Sequence, residues 1–181
     1  MTQYLCKEDL LAGKEMLLLA KELFPLNRSL MGPDIRNSYK KFREKHDEFK
    51  QIEFNTGEKV FDWTVPKEWI IKDAFIEHES GKRFALFSDN NLHVMGYSAP
   101  VDKLLTKDQL LKKIHTHPLD KSAIPYVTSY YKEDWAFCMS SNQVESLPPG
   151  NFRVFIDSNF IDGKLCLQEA LIRGASDKEI F

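Results

Sequence analysis

The side chains best suited to chemistry in this 181-residue sequence are five histidines, three cysteines and one long run of aromatics. Two histidines stand one residue apart in Ile114-His115-Thr116-His117-Pro118. Imidazoles at that spacing can hold zinc, but a catalytic zinc takes a third protein ligand and keeps a position open for water. Nothing nearby supplies that ligand at a matching spacing. The plainer alternative is a polar loop after a helix, with His115 against the negative end of the helix dipole. His78 and His93 fall in expected strands and read as structural; alternation sends Glu77 and Glu79 to one strand face and His78 to the other. Cys6, Cys138 and Cys166 are widely spaced and odd in number, which suits free thiols rather than disulfides or a zinc knuckle. There is no Gly-rich phosphate loop, no Gly-x-Ser-x-Gly elbow and no His-Glu-x-x-His.

The aromatic run is Tyr126-Val127-Thr128-Ser129-Tyr130-Tyr131-Lys132-Glu133-Asp134-Trp135. Phenols and indoles pair a broad apolar face with a hydrogen-bonding edge, which suits a peptide or sugar pocket. The same residues would equally fill a small core and satisfy their hydroxyls internally. Phe61-Asp62-Trp63, with Trp69 close behind, is a lesser candidate. A tryptophan beside a carboxylate more often fixes a loop than performs chemistry.

The elements that must position these groups are α and β in sequence. Leu10, Leu11, Leu17, Leu18 and Phe24 recur as one helical face, closed by Pro25. Pro33 suits the first position of a second helix, whose stripe is Ile35, Tyr39, Phe42, His46 and Phe49. Near residue 50 the texture turns β-rich, with Asn55-Thr56-Gly57 as a turn and Val60–Val65 as extended chain. Trp69–Ile76 and Arg83–Phe87 are expected strands joined by Glu79-Ser80-Gly81-Lys82, and His93–Ser98 a further strand. Thr106-Lys107-Asp108-Gln109 is a capping box opening a helix to about Ile114. Ile124–Thr128 is extended, and Ser129 begins a helical turn carrying Tyr130, Tyr131 and Trp135. Phe152–Ile156 and Lys164–Ile172, flanking Asp162-Gly163, are expected to pair antiparallel. Gly174–Asp177 reads as a turn, and Glu179-Ile180-Phe181 as the start of another strand, so the sequence ends as a strand begins.

A composition of 43% hydrophobic and 29% charged residues is that of a globular chain. The formal net charge of -2 gives no positive field to condense on nucleic acid or an anionic membrane. Met1–Leu10 lacks a basic patch before an apolar segment, and the longest aliphatic run, Met16–Ala20, is too short to span a bilayer. With three unpaired cysteines the expectation is a soluble, cytoplasmic protein.

Longer strings carry a family resemblance. Asn27-Arg28-Ser29-Leu30-Met31-Gly32, the run from Val60 to Trp69, Asn91-Leu92-His93-Val94 and the run from Ile124 to Trp135 resemble one family in the right order. It is the bacterial and archaeal aminopeptidase-like family long described as a domain of unknown function, whose members often sit in surface-polysaccharide biosynthesis loci. Ala136 departs from it where glycine is expected. The resemblance implies an α+β chain taken from a zinc-exopeptidase-like α/β fold. Residues 1–49 would be the first helices of the peptidase domain, 50–147 a β-rich inserted domain and 148–181 a hairpin returning toward the peptidase sheet. The family's metal stretch is expected after the position of Phe181, so no metal ligand and no catalytic residue is carried over. His115 and His117 also lack the downstream Ser and Asp of JAB/MPN-type metalloproteases, since Pro125 and Thr128 stand there.

The resemblance thus implies the N-terminal fragment of an aminopeptidase-like zinc hydrolase, without catalytic activity of its own and with no cofactor in this chain. The alternatives are a non-catalytic module binding a peptide, a sugar or a partner, and an independent metallohydrolase using His115 and His117. Arg28, Tyr126, Tyr130, Tyr131 and Trp135 are the expected substrate-side residues, toward a peptide or modified sugar. Adjacent tyrosines diverge by about 100° in a helix and alternate in a strand, so one phenol must reach a surface. Arg28, in a polar loop, can meet a carboxylate or a sugar hydroxyl.

Overall fold

The computed structural model describes residues 7–45 and 48–175, and the protein is an α+β chain. In chain order it runs α1 (Lys7–Leu23), α2 (Pro33–Lys45), β1 (Lys50–Asn55), β2 (Lys59–Val60), β3 (Trp63–Thr64), β4 (Glu68–His78) and β5 (Arg83–Phe84). There follow β6 (Val101–Thr106), α3 (Lys107–Leu111), β7 (Ile114–His115), β8 (Phe137–Cys138), α4 (Ser141–Glu145), β9 (Asn151–Ile161) and β10 (Lys164–Glu169). Among the described residues no helix is long and apolar enough to cross a membrane.

The chain divides into two compact units, each built from separate stretches: Met1–Asn27 with Ile71–Asn159, and Arg28–Ile70 with Phe160–Phe181. The first holds most of a four-stranded sheet ordered β5-β4-β9-β6. Along β9 burial alternates, with Phe152, Val154, Ile156 and Ser158 inward, the period-two signature of a sheet with one wet face. Ala74 and Ile76 of β4 and Leu110 of α3 are buried as well. On the wet face the Arg83 guanidinium lies 4.0 Å over the Phe75 ring, and Phe75 stacks on Phe155 at 5.1 Å. α3 opens on the expected capping box: Thr106 Oγ1 accepts from the Gln109 amide while the Gln109 side chain accepts from the Thr106 amide. α1 buries Leu23 but leaves Leu10, Leu11, Met16, Leu17 and Leu18 exposed.

The second unit packs α2, the β2–β3 hairpin and the antiparallel β1–β10 ribbon around Met31, Val65 and Leu165, flanked by Leu30, Phe54 and Trp63. Gln168 on β10 donates to the carbonyl of Tyr39 on α2 at 3.0 Å. Arg36 on α2 forks onto both carboxylate oxygens of Glu68, each bond 2.8 Å, with the Glu68 side chain 3% exposed. That bidentate bond raises the guanidinium above its ordinary value. Gly163 is small for a reason: a Cβ there would stand 2.4 Å from Glu68 Oε2.

Several expectations are corrected. Lys164–Glu169 pairs with β1, Lys50 opposite Glu169, while β9 pairs with β6, so Phe152–Ile156 and Lys164–Ile172 are not partners and do not form the expected hairpin. The ribbon wins because Ile52 and Phe54 offer an alternating strand near residue 50 that composition alone conceals. His93–Ser98 is not a strand; Asn91–His93 is a 3-10 turn capped by the Asn90 side chain, followed by single bridges at Val94 and Gly96. Phe61 and Asp62 form the tight turn between β2 and β3, with Phe61 at φ 55 and fully exposed. His46 and Glu179-Ile180-Phe181 lie outside the described residues.

Candidate binding site

The aromatic run lies in the first unit, in sequence between the two parallel strands β7 and β8. β7 and β8 align Ile114 with Phe137 and His115 with Cys138, and Phe137 and Cys138 are fully buried. From that anchor the chain before β8 is stitched to the segment around Gly96. The Gly96 amide donates to Val127 at 2.8 Å, the Ser129 amide to Gly96 at 2.9 Å, the Ala99 amide to Asp134 at 2.9 Å and the Met95 amide to Ala136 at 3.0 Å. A Cβ at Gly96 would meet Thr128 Cγ2 at 3.4 Å, an ordinary contact. Beneath them Met95, Ala136 and Cys138 form a core patch, against which Ile124 and Val127 pack.

Three tyrosine rings step outward from this core. Tyr97 is 4% exposed, and its backbone is left-handed at φ 64, an uncommon conformation for a bulky residue. Tyr130 meets it edge-on at 5.7 Å and 74°. Tyr131 lies 4.5 Å from Tyr130 at 59° and is 80% exposed. The expected helical turn at Ser129 is a single turn closed by the Lys132 amide on Ser129, and the chain then extends to Trp135.

An ion pair lies beside the Trp135 ring. Lys113 Nζ stands 2.6 Å from Asp134 Oδ1 and 5.0 Å over the Trp135 ring. Asp134 Oδ1 also accepts the Trp135 amide at 2.8 Å. The lysine bond, helped by the amide, holds the Asp134 carboxyl below its ordinary value. Lys113 itself is fixed by its backbone, whose amide donates to Leu110 and whose carbonyl accepts from Phe137.

Of the residues expected at the site, Tyr130, Tyr131 and Trp135 fall in this loop, the last two rings exposed and half-buried respectively, and Tyr126 is exposed ahead of them. Arg28 is an exposed loop residue of the second unit. Sequence reading missed Tyr97, Lys113 and Asp134. Tyr97 was concealed in an expected strand, and Lys113 in an expected helix that stops at Leu111. Asp134 did stand beside Trp135, but its cation is 21 positions away.

His78, His93 and His117 are engaged locally. His93 donates from Nδ1 to the Cys138 carbonyl at 2.8 Å. His78 bonds the Pro149 carbonyl through Nε2 at 3.0 Å, and its Nδ1 accepts the Ser80 amide at 3.2 Å. His117 Nδ1 accepts the amides of Asp120 at 2.9 Å and Leu119 at 3.3 Å. Neutral His117 then carries its proton on Nε2, and neither nitrogen offers a lone pair to a metal. Among the described residues no three of His, Cys, Asp and Glu are grouped to hold an ion, so they do not fit a zinc site. Cys138 is pushed up to about 12 by burial, which leaves it a packed thiol rather than a nucleophile.

Residues 68–159 match the family described as "Domain of unknown function (DUF2172)". A curated protein of Clostridium acetobutylicum named "Putative polysaccharide biosynthesis protein with aminopeptidase-like domain" is 46% identical over 169 residues, covering 93% of this chain and 39% of that protein. A crystal structure of a "putative peptidase" from Clostridium acetobutylicum matches with a TM-score of 0.82 at 45% identity, over 90% of this chain and 38% of that one. The chain thus spans well under half the length of either relative.

Proposed function

Since the chain belongs to the DUF2172 family, we propose that it forms the substrate-facing, non-catalytic part of an aminopeptidase-like hydrolase. The observation that carries this reading is the 46% identity over 169 residues to a protein named for such a domain. In this reading the stretch Ile71–Asn159 is the insert, narrower than the 50–147 expected from sequence, and Arg28–Ile70 with Phe160–Phe181 belong with the peptidase domain. Zinc, which supplies an activated water and a polarised carbonyl when bound, is held by residues outside the stretch that the relatives share with this chain. The residues of this chain bind and orient. Tyr126, Tyr130, Tyr131 and Trp135 offer ring faces to a peptide or modified-sugar substrate, and the work is done in the cytoplasm.

The test has two arms. The purified chain should release no amino acid from a panel of aminoacyl amides, with or without added zinc, cobalt or manganese. In the longer Clostridium acetobutylicum relative, phenylalanine at the positions aligned with Tyr130 and Tyr131 should lower turnover or raise KM without shifting Tm. Metal-dependent release that follows this chain through purification overturns the non-catalytic reading. Unchanged kinetics, or a loss confined to Tm, overturns the substrate-facing role of the loop.

A further inference from the structure

We infer that Asp162-Gly163 is a site of spontaneous covalent modification, isomerisation of the aspartate to isoaspartate, held in check by the hydroxyl of Thr56.

The chemistry belongs to the dipeptide. The main-chain nitrogen after an aspartate can attack Cγ of the protonated side-chain carboxyl. An N–C bond forms, and the carboxyl hydroxyl leaves with the amide proton as water. The five-membered imide then takes up one water at either carbonyl. Opening at one restores aspartate; opening at the other leaves the main chain running through Cβ and Cγ, one methylene longer. Glycine in the second position has no Cβ to shield the attacking nitrogen. The sequence holds one Asp-Gly step and no Asn-Gly.

At this step the structure pairs an open electrophile with a restrained nucleophile. The Asp162 side chain is 81% exposed, and its ion-pair partner Lys67 stands 3.9 Å away, itself exposed, so water screens the pair. Gly163 is gripped instead. Its amide donates to Thr56 Oγ1 at 3.0 Å, and its carbonyl accepts the Thr56 amide at 3.0 Å. Thr56 Oγ1 in turn donates to the Pro66 carbonyl at 3.0 Å, which leaves its lone pairs for the Gly163 amide. To attack Cγ, the Gly163 nitrogen must give up its proton and leave the plane of its peptide, and both motions break the bond to Thr56. Asn55 opposite Lys164 is the pair of β1 and β10 next to these two residues, so fraying at this end of the ribbon releases the nitrogen. Isomerisation then keeps the end open, because the added methylene shifts Gly163 against Thr56.

The whole chain, held at physiological temperature and neutral pH, provides the test. Timed samples are digested with trypsin, and isoaspartate in the peptide from Val154 to Lys164 is located by electron-transfer fragmentation, which separates Asp162 from Asp157. We expect slow accumulation at position 162 in the native chain. Thr56→Val should raise the rate about 2- to 10-fold, the factor that one hydrogen bond is worth. Thr56→Ser keeps the hydroxyl and should stay near the native rate, and Asp162→Glu should abolish the signal. Met31→Ala loosens the core of the same unit while keeping Thr56, and urea brings it and Thr56→Val to the same folded fraction for comparison. Thr56→Ala serves if Thr56→Val does not fold. Absence of isoaspartate at position 162 from every Thr56 variant overturns the site. A Thr56→Val rate equal to the native one, or matched by Met31→Ala at the same folded fraction, overturns the role of the hydroxyl.

Discussion

Gly163→Ala should be among the most damaging single-methyl changes in the second unit. The new Cβ would stand 2.4 Å from Glu68 Oε2, 2.9 Å from Glu68 Cβ and 3.1 Å from Glu68 Cδ. A flexible carboxylate end normally swings aside at little cost. This one is 3% exposed and gripped by both guanidinium nitrogens of Arg36 at 2.8 Å, so moving it breaks two charge-assisted bonds. Those bonds contribute about 1.5–3 kcal/mol each, which sets an upper limit near 3–6 kcal/mol. Arg36 is 39% exposed and regains water when released, which lowers the expected loss to about 2–4 kcal/mol. Urea denaturation followed by tryptophan fluorescence measures it, since Trp63 and Trp69 both belong to this unit. The mechanism is isolated by a cycle with Glu68→Ala, which removes the carboxylate before the methyl arrives. The double variant should be less destabilised than the sum of the two by at least ~1.5 kcal/mol, well beyond the ~0.5 kcal/mol scatter of independent sites. Additive losses would refute the reasoning and show that the methyl acts on the backbone of the Asp162-Gly163 turn.

The Asp134 carboxyl, depressed mainly by Lys113, contributes stability that is present above the ordinary aspartate range near pH 4 and lost as pH falls through its lower folded value. Its NMR titration midpoint should rise on Lys113→Met; a midpoint that stays put would mean the Trp135 amide alone holds it. Helix α1, with Leu17 at 56% and Leu10 at 54% exposure, should exchange its amides faster than β9, and protection of α1 equal to that of Phe152–Ile156 would show that its outer face is covered in solution.

What could be read from sequence was local. Pro33 opens α2, Thr106 and Gln109 cap α3, and the strand pair through Ile76 and Phe84 follows from its loop residues, because each rests on chemistry within a few positions. The β1–β10 ribbon was hidden for the opposite reason. Lys50–Asn55 is exposed on most of its residues and becomes a strand because Lys164–Glu169 lies beside it. The candidate site divides the same way. Tyr126, Tyr130, Tyr131 and Trp135 stand out as a run, whereas Tyr97 and Lys113 join them only through the turn at Gly96 and the pairing of β7 with β8. The pairing of Arg36 with Glu68, 32 positions apart, gave no signal at all.

The ribbon also sets the order in which this protein can be made. Lys50 meets Glu169, and Asn55 meets Lys164, across more than a hundred intervening positions. The partners within the first unit are closer, Thr106 with Asn151 and Ile114 with Phe137. A chain emerging from the ribosome at about 5–20 residues per second therefore leaves β1 without its mate for roughly 5–25 s. Through that interval Ile52 and Phe54 lack the partner that orders them, and transiently exposed apolar side chains of this kind are what other unfinished chains bind. The closure of the second unit waits on β10.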